Sequence, residues 1–170
     1  MQRFVGFVYQ EVRLHCSQGR AQSIEITVKP HGGIRGRCSR CRRPAPGYDR
    51  LPQRRWLFVP LWGIPTHFRY APRRVECAEH GVIVEHIPWS NGKRPVTCTM
   101  MGFLARWARR LSWRETARAF QTSWEAVYRS VEWFVQWGLA RRPRAHWTIA
   151  VQRFNGFCIL RTLAPFAPFA

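Results

Sequence analysis

Cys38 and Cys41 enclose two residues, Cys77 and His80 enclose two more, and thirty-five residues separate the pairs. Thiolate sulfur and imidazole nitrogen are the ligands that a tetrahedral zinc ion takes, and a two-residue spacer lets both members of a pair reach one ion from a single tight turn. One such pair alone is compatible with a redox dithiol, but a second pair of matched spacing points to a metal site of Cys38, Cys41, Cys77 and His80. Four protein ligands leave no open coordination position, so the zinc is expected to be structural. Gly36 and Gly81 flank the pairs, where the chain has to curl.

The charge of the chain says what it seeks. Twenty-eight basic residues stand against nine acidic ones, a formal net charge of +19, and all but two of the basic side chains are arginine. Arginine grips phosphate through a planar fork and stacks on bases, which favours nucleic acid over a membrane surface as partner. The start, Met1-Gln-Arg-Phe-Val-Gly-Phe-Val-Tyr9, is too soon interrupted by Glu11 and Arg13 to be a signal peptide. No run of eighteen apolar residues occurs. The six cysteines therefore suit a reducing cytoplasm, as metal thiolates or buried thiols.

The elements that must position these groups are of two kinds, and the fold class expected is α+β. Residues 1–30 alternate like two strands, with Ile24, Ile26 and Val28 on one face, joined through Ser17 to Gln22 as an N-terminal β-hairpin. His15 and Cys16 have no matching ligand pair and are read as structural. Residues 31–92 form a small β-rich, zinc-ribbon-like module. Its hairpin is expected from Arg54 to Trp62, with Pro60 implying an edge strand, and from Thr66 to Tyr70, after a turn over Gly63 to Pro65; the ligands are expected at its open end. Val82 to Trp89 adds one more strand, and His67 and His86 are spare, exposed imidazoles.

From Thr97 the apolar period lengthens to three and four, and residues 96–142 are expected to hold three helices in a helix-turn-helix module. The first helix carries a stripe of Met100, Leu104, Trp107, Ala108 and Leu111. Ser112-Trp-Arg-Glu115 has the form of a capping box, and Trp113, Ala117 and Phe120 face inward behind it. Thr122-Ser-Trp-Glu125 repeats the form, starting a third helix with Trp124, Val127, Tyr128, Val131, Phe134 and Val135 on its stripe and Gly138 at its end. In a helix-turn-helix the third helix enters the major groove. Ser123, Ala126, Arg129 and Ser130 are then its outward positions, with Arg129 at a base edge and Arg114 and Arg118 on phosphates. Residues 143–170 carry neither period and are expected to be an irregular tail.

The linked order of these motifs resembles the amino-terminal half of bacterial insertion-sequence transposases of the ISL-three family. The residues carrying the resemblance are Cys38-x2-Cys41, the Arg55-Trp56 pair, Arg73-Arg-Val-Glu-Cys-x2-His-Gly81, Val84-Glu-His-Ile-Pro-Trp89 and the Ser123-Trp-x-x-Val127 segment, over about residues 1–142. The resemblance implies a zinc-binding module and helix-turn-helix that recognise the terminal inverted repeats of the mobile element, as double-stranded DNA, in the bacterial cytoplasm and nucleoid. Its expected protein partners are a second copy or an intact transposase, and no membrane. In that family a larger domain with an Asp-Asp-Glu triad cuts and joins strands. This sequence holds one aspartate, Asp49, and no acid beyond Glu132, whereas two-metal phosphoryl transfer needs convergent carboxylates. No catalytic residues are assigned, and a truncated or frame-shifted copy is expected. The alternative from the residues alone is a zinc-ribbon and helix-turn-helix transcriptional regulator or RNA-binding protein.

Overall fold

The computed structural model describes residues 4–141, 151–154 and 157–160. It is mixed α and β, in two compact units, Met1–Gln136 and Trp137–Ala170.

In the first unit, β1 (Phe7–Ser17) and β2 (Arg20–Pro30) form the expected hairpin, paired from Phe7 with Pro30 to Ser17 with Arg20. The turn is Gln18-Gly19, two residues with positive φ, tighter than the Ser17 to Gln22 link. β4 (Arg54–Leu61) and β5 (Ile64–Tyr70) form a second hairpin about Trp62-Gly63, again both at positive φ, the two-residue geometry that matches strand twist. β2 pairs in parallel with β5, giving the order β1-β2-β5-β4. The hairpin of residues 1–30 is therefore half of a larger sheet, and residue 30 marks no break in it. β4 is an edge strand of this sheet, as Pro60 implied.

Alternation along these strands builds the core. Ile24, Ile26, Val28, Trp56, Phe58, Phe68 and Tyr70 are buried on one face with Ile87 and Trp89. Trp89 stands at the centre, in ring contact with Phe4, Phe7, Trp56, Phe68 and Tyr70 at centroid distances of 4.9–6.2 Å.

A separate three-stranded sheet, β3 (Gly47–Arg50), β6 (Arg73–Cys77) and β7 (Gly81–Val84), lies in the order β3-β6-β7. The expected strand from Val82 to Trp89 stops at Val84, because Ile87 and Trp89 turn into the aromatic core.

Three helices follow: α1 (Cys98–Trp107), α2 (Trp113–Ala119) and α3 (Trp124–Arg141). Thr97 caps α1, accepting from the Met100 amide at 3.2 Å, and its own hydroxyl and amide donate to the Leu57 carbonyl of β4. Met100, Met101 and Leu104 form a second core with Val96, Ala117 and Val127, and Leu57 and Val59 of β4 pack against it. α2 begins with the capping box read from the sequence: the Glu115 amide donates to Ser112 Oγ, and the Ser112 amide donates to Glu115 Oε2 at 2.8 Å. Hydrogen bonds from the serine hydroxyl and amide hold the Glu115 carboxyl below its ordinary pKa.

The helical stripes need correction. Met101 and Ala105 are buried on α1, whereas Trp107 is 38% exposed. On α3 only Val127 and Ser130 are buried; Trp124, Tyr128, Phe134 and Val135 are all more than 40% exposed. α2 is seven residues long against eighteen for α3, so it covers only the first turns of that helix. Gly138 does not end α3, which runs on to Arg141. In the second unit, β8 (Val151–Phe154) and β9 (Phe157–Leu160) pair as an antiparallel hairpin, so the expected irregular tail contains regular structure. The sequence between them, Asn155-Gly156, is a strong short-range hairpin signal that the periodicity test passed over.

Candidate metal centre and basic helical face

The ligand atoms of Cys38, Cys41, Cys77 and His80 all lie within 4.8 Å of one another. They come from two turns of different origin. In the first, the Cys38 amide donates to the Arg43 carbonyl at 2.9 Å, the Arg42 amide to the Cys38 carbonyl at 3.0 Å, and the Arg40 amide to Cys38 Sγ at 3.4 Å. In the second, Cys77 ends β6 and pairs with Gly81 at the start of β7, leaving His80 on the turn between them. The ligands thus belong to the β3-β6-β7 sheet and the loop before it, and not to the β4–β5 hairpin at whose open end they were expected. That hairpin is committed to the larger sheet.

The separations suit a shared ion. Cys41 Sγ is 3.6 Å from Cys77 Sγ, and His80 Nδ1 is 3.6 Å from Cys77 Sγ and 3.8 Å from Cys38 Sγ. Metal–sulfur bonds of about 2.3 Å and a metal–nitrogen bond of about 2.0 Å at tetrahedral angles place S and S about 3.8 Å apart, and S and N about 3.5 Å apart. Cys38 and Cys77 are buried and Cys41 and His80 half-buried. Burial raises the pKa of the Cys38 thiol, but hydrogen bonds from the Cys41 and Arg40 amides and from the neighbouring thiols outweigh it and bring the value below the ordinary one. The cluster can hold a metal ion.

The two turns share one backbone feature that their sequences hide. Gly81, immediately after His80, has φ +64°, and Arg42, immediately after Cys41, has φ 64°. Glycine enters this left-handed region freely, whereas a side chain there costs about 1 kcal/mol or more. Gly36 serves differently: a Cβ there would lie 2.6 Å from Val75 Cγ1 and 3.1 Å from Glu85 Oε2. Its place is set by close packing and not by curling.

Glu85 joins this sheet to the larger one. Its backbone bridges Cys38, its carboxylate is buried, and it accepts from the Tyr70 hydroxyl at the end of β5 and from the Arg73 guanidinium and amide on β6. Sequence reasoning missed this role. An acid set within the apolar run Val82 to Trp89 was the available signal.

The spare histidines are half-buried, and not exposed as expected. His67 Nδ1 accepts from Arg55 Nη2 at 3.0 Å, and burial together with the Arg55 charge lowers its pKa to about 4. His15 is exposed and lies 3.3 Å from Glu25. Cys16 is exposed too.

On the helices, Arg114, Arg118, Ser123 and Arg129 are exposed, Ala126 is half-buried, and Ser130 is 1% exposed. Ser130 donates its hydroxyl to the Ala126 carbonyl at 2.6 Å, which turns it inward from its expected outward position. The start of α3 is also shifted by one residue. Ser123 Oγ, not Thr122, accepts from the Ala126 amide, at 3.2 Å. The link from α2 to α3 is four residues, 120–123, with Gln121 at φ 49° and the Thr122 amide on the Ala117 carbonyl. Arg114, Arg118 and Arg129 form no ion pair among the described residues. No described helix is long and apolar enough to cross a membrane.

Comparison with known proteins finds similarity to the transposase for insertion sequence element IS1557 of Mycobacterium tuberculosis, in strains CDC 1551 / Oshkosh and ATCC 25618 / H37Rv. In each case 35% of 74 residues are identical, covering 42% of this chain and 16% of the relative. This chain thus matches a small part of the length of those transposases. No family model matches the chain, and no solved structure matches it. The similarity supports a transposase-related origin.

Proposed function

We propose that this chain is a zinc-dependent, sequence-specific DNA-binding module of an ISL-three-type insertion-sequence transposase, directed at the terminal inverted repeats of its element. The observation that carries this reading is the 35% identity to IS1557 transposases over 74 residues. Zinc fits the soft ligand set of three thiols and one imidazole, with separations suited to a closed tetrahedron. Its role is to hold the β3-β6-β7 sheet, which is too small to bury a core of its own. The four-residue link between α2 and α3 suits a helix-turn-helix, with Arg129 on bases and Arg114 and Arg118 on phosphates.

We assign this chain no strand-transfer chemistry of its own. The nine acids of the sequence include a single aspartate, and Asp49 and Glu85 are held by Arg74 and Arg73. Two-metal chemistry needs several convergent carboxylates.

Hydroxyl-radical footprinting on the DNA flanking the coding region tests the reading. Protection confined to inverted repeats is expected. Uniform protection of all duplexes, or a preference for RNA, would overturn it in favour of a regulator or RNA-binding protein.

A further inference from the structure

Between the β-sheets and α1, residues Ser90 to Arg94 make a loop whose backbone is pinned from both sides. Trp56 Nε1 donates to Ser90 Oγ at 3.1 Å, and that hydroxyl donates on to the Gly92 carbonyl at 3.2 Å. Arg54, its guanidinium 4.8 Å from the Trp56 ring centroid, donates from Nη2 to the Lys93 carbonyl at 2.9 Å. The loop is therefore fixed before any partner arrives, and its side chains are left for other work.

Two clefts meet on this loop. One, of about 530 Å³, lies against the first turns of α3 and is lined by Lys93, Arg94, Ser123 and Arg129. The other, of about 370 Å³, lies against the first metal-ligand turn and is lined by Arg42, Arg54 and Lys93. Asn91, Gly92 and Lys93 border both, so the clefts run along one path from α3 to the metal turn. The acids on this path are Glu125 and Glu85, and the Glu85 carboxylate is already held by Arg73 and Tyr70. Arg42, Lys93, Arg94 and Arg129 form no ion pair among the described residues. These four cations stand against Glu125, the acid not already held, so the path keeps a net positive charge.

Arg42 adds an independent observation. It occupies a left-handed backbone position that glycine fills in the matching turn, so the fold tolerates strain to keep a guanidinium there. Strain of this kind points to a use for the side chain.

We infer that the 90–94 loop is a backbone clamp, and that one phosphate strand of double-stranded DNA runs from the Arg129 face of α3, across Lys93, to Arg42 on the metal turn. This rests on the DNA-binding reading above and extends it: the metal turn contacts DNA itself as well as supporting the fold. Rows of unpaired cations along a groove suit a polyanion with regularly spaced charges, and such contacts set register without reading sequence.

The test uses the zinc-loaded chain with a duplex cut from the DNA flanking its coding region and a random duplex of equal length, titrated over a range of salt. Arg42→Gly and Lys93→Gln are each expected to lower the slope of log affinity against log salt by about 0.9, equally on both duplexes. Arg20→Gln, at the far tip of the β1–β2 hairpin, is expected to leave the slope unchanged. Arg42→Gly is expected at the same time to raise the urea midpoint and keep its zinc, so weaker binding cannot be ascribed to misfolding. If wild type binds and the Arg42 and Lys93 variants match Arg20→Gln, the clamp is wrong while the DNA-binding reading stands. If wild type binds neither duplex at low salt, the underlying reading has failed. A wild-type preference for single-stranded RNA would overturn both.

Discussion

Nε and Nη2 of Arg73 both donate to Oε2 of Glu85, at 2.9 and 2.7 Å, while the Arg73 amide and the Tyr70 hydroxyl donate to Oε1. The residue is 3% exposed, and a carboxylate so buried persists only with its oxygens satisfied. Tyr70 shows the same contact from its own side: burial and the neighbouring carboxylate push its phenol well above the ordinary range. Because Glu85 also bridges Cys38 through its backbone, it is the bolt between the aromatic core and the metal turns. Glu85→Gln is expected to cost about 3–5 kcal/mol, since it leaves the half-buried Arg73 charge unpaired. Gly36→Ala, which drives a methyl against Val75 and Glu85, is expected to cost about 1–3 kcal/mol. Urea denaturation of the zinc-loaded protein reads both losses.

His67 gives the fold a pH dependence that begins near pH 6.5, before the carboxylates titrate, and ends near pH 4. The unfolded imidazole protonates near 6.5 and the folded one near 4, so between those values the unfolded chain binds the extra proton. The contribution of His67 is then complete above about pH 6.5 and is lost as pH falls through about 4, its size reduced by the solvent that still reaches the half-buried ring. Comparing urea midpoints at pH 7 and in mild acid, His67→Gln should show a smaller drop than wild type. Equal drops would mean that His67 does not carry this dependence.

The two metal turns should respond oppositely to substitution at their matching positions. Gly81→Ala forces a side chain to φ +64° and is expected to cost about 1–2 kcal/mol. Arg42→Gly relieves the equivalent strain and is expected to add up to about 1 kcal/mol, less what the freer unfolded chain takes back. Thermal unfolding of zinc-loaded variants measures both. A destabilised Arg42→Gly would show that the arginine side chain supports the fold.

Arg129 and the α2 arginines should separate by what they contact. Arg129→Ala is expected to reduce discrimination between the flanking repeats and random duplex by about 1–3 kcal/mol, the value of a bidentate base contact. Arg114→Ala and Arg118→Ala should weaken both duplexes alike and flatten the salt dependence. Competition binding distinguishes the cases, and an equal loss on both duplexes would make Arg129 a phosphate contact.

What could be seen in the sequence was whatever chemistry is local. The Cys38, Cys41, Cys77 and His80 cluster is visible because ligand type and a two-residue spacing are short-range properties, and the Ser112–Glu115 box spans a single turn. At Thr122 and Ser123 two adjacent hydroxyls could both cap, and only packing chose the second. The parallel pairing of β2 with β5 joins segments about forty residues apart, and hairpin signals carry no trace of it. The α3 stripe was misjudged because periodicity shows which side chains share a face but not how long a partner helix covers them. Arg42 was hidden for a related reason: a left-handed backbone is inferred from glycine, and here arginine stands in its place.

Native mass spectrometry of the purified chain with a duplex from its flanking DNA, for wild type and Cys77→Ser, tests the central claim most directly. One zinc ion per chain and a protein–DNA complex are expected for wild type, with both lost in the variant. A metal-free wild-type chain that binds the duplex as tightly as the zinc-loaded form would contradict the account.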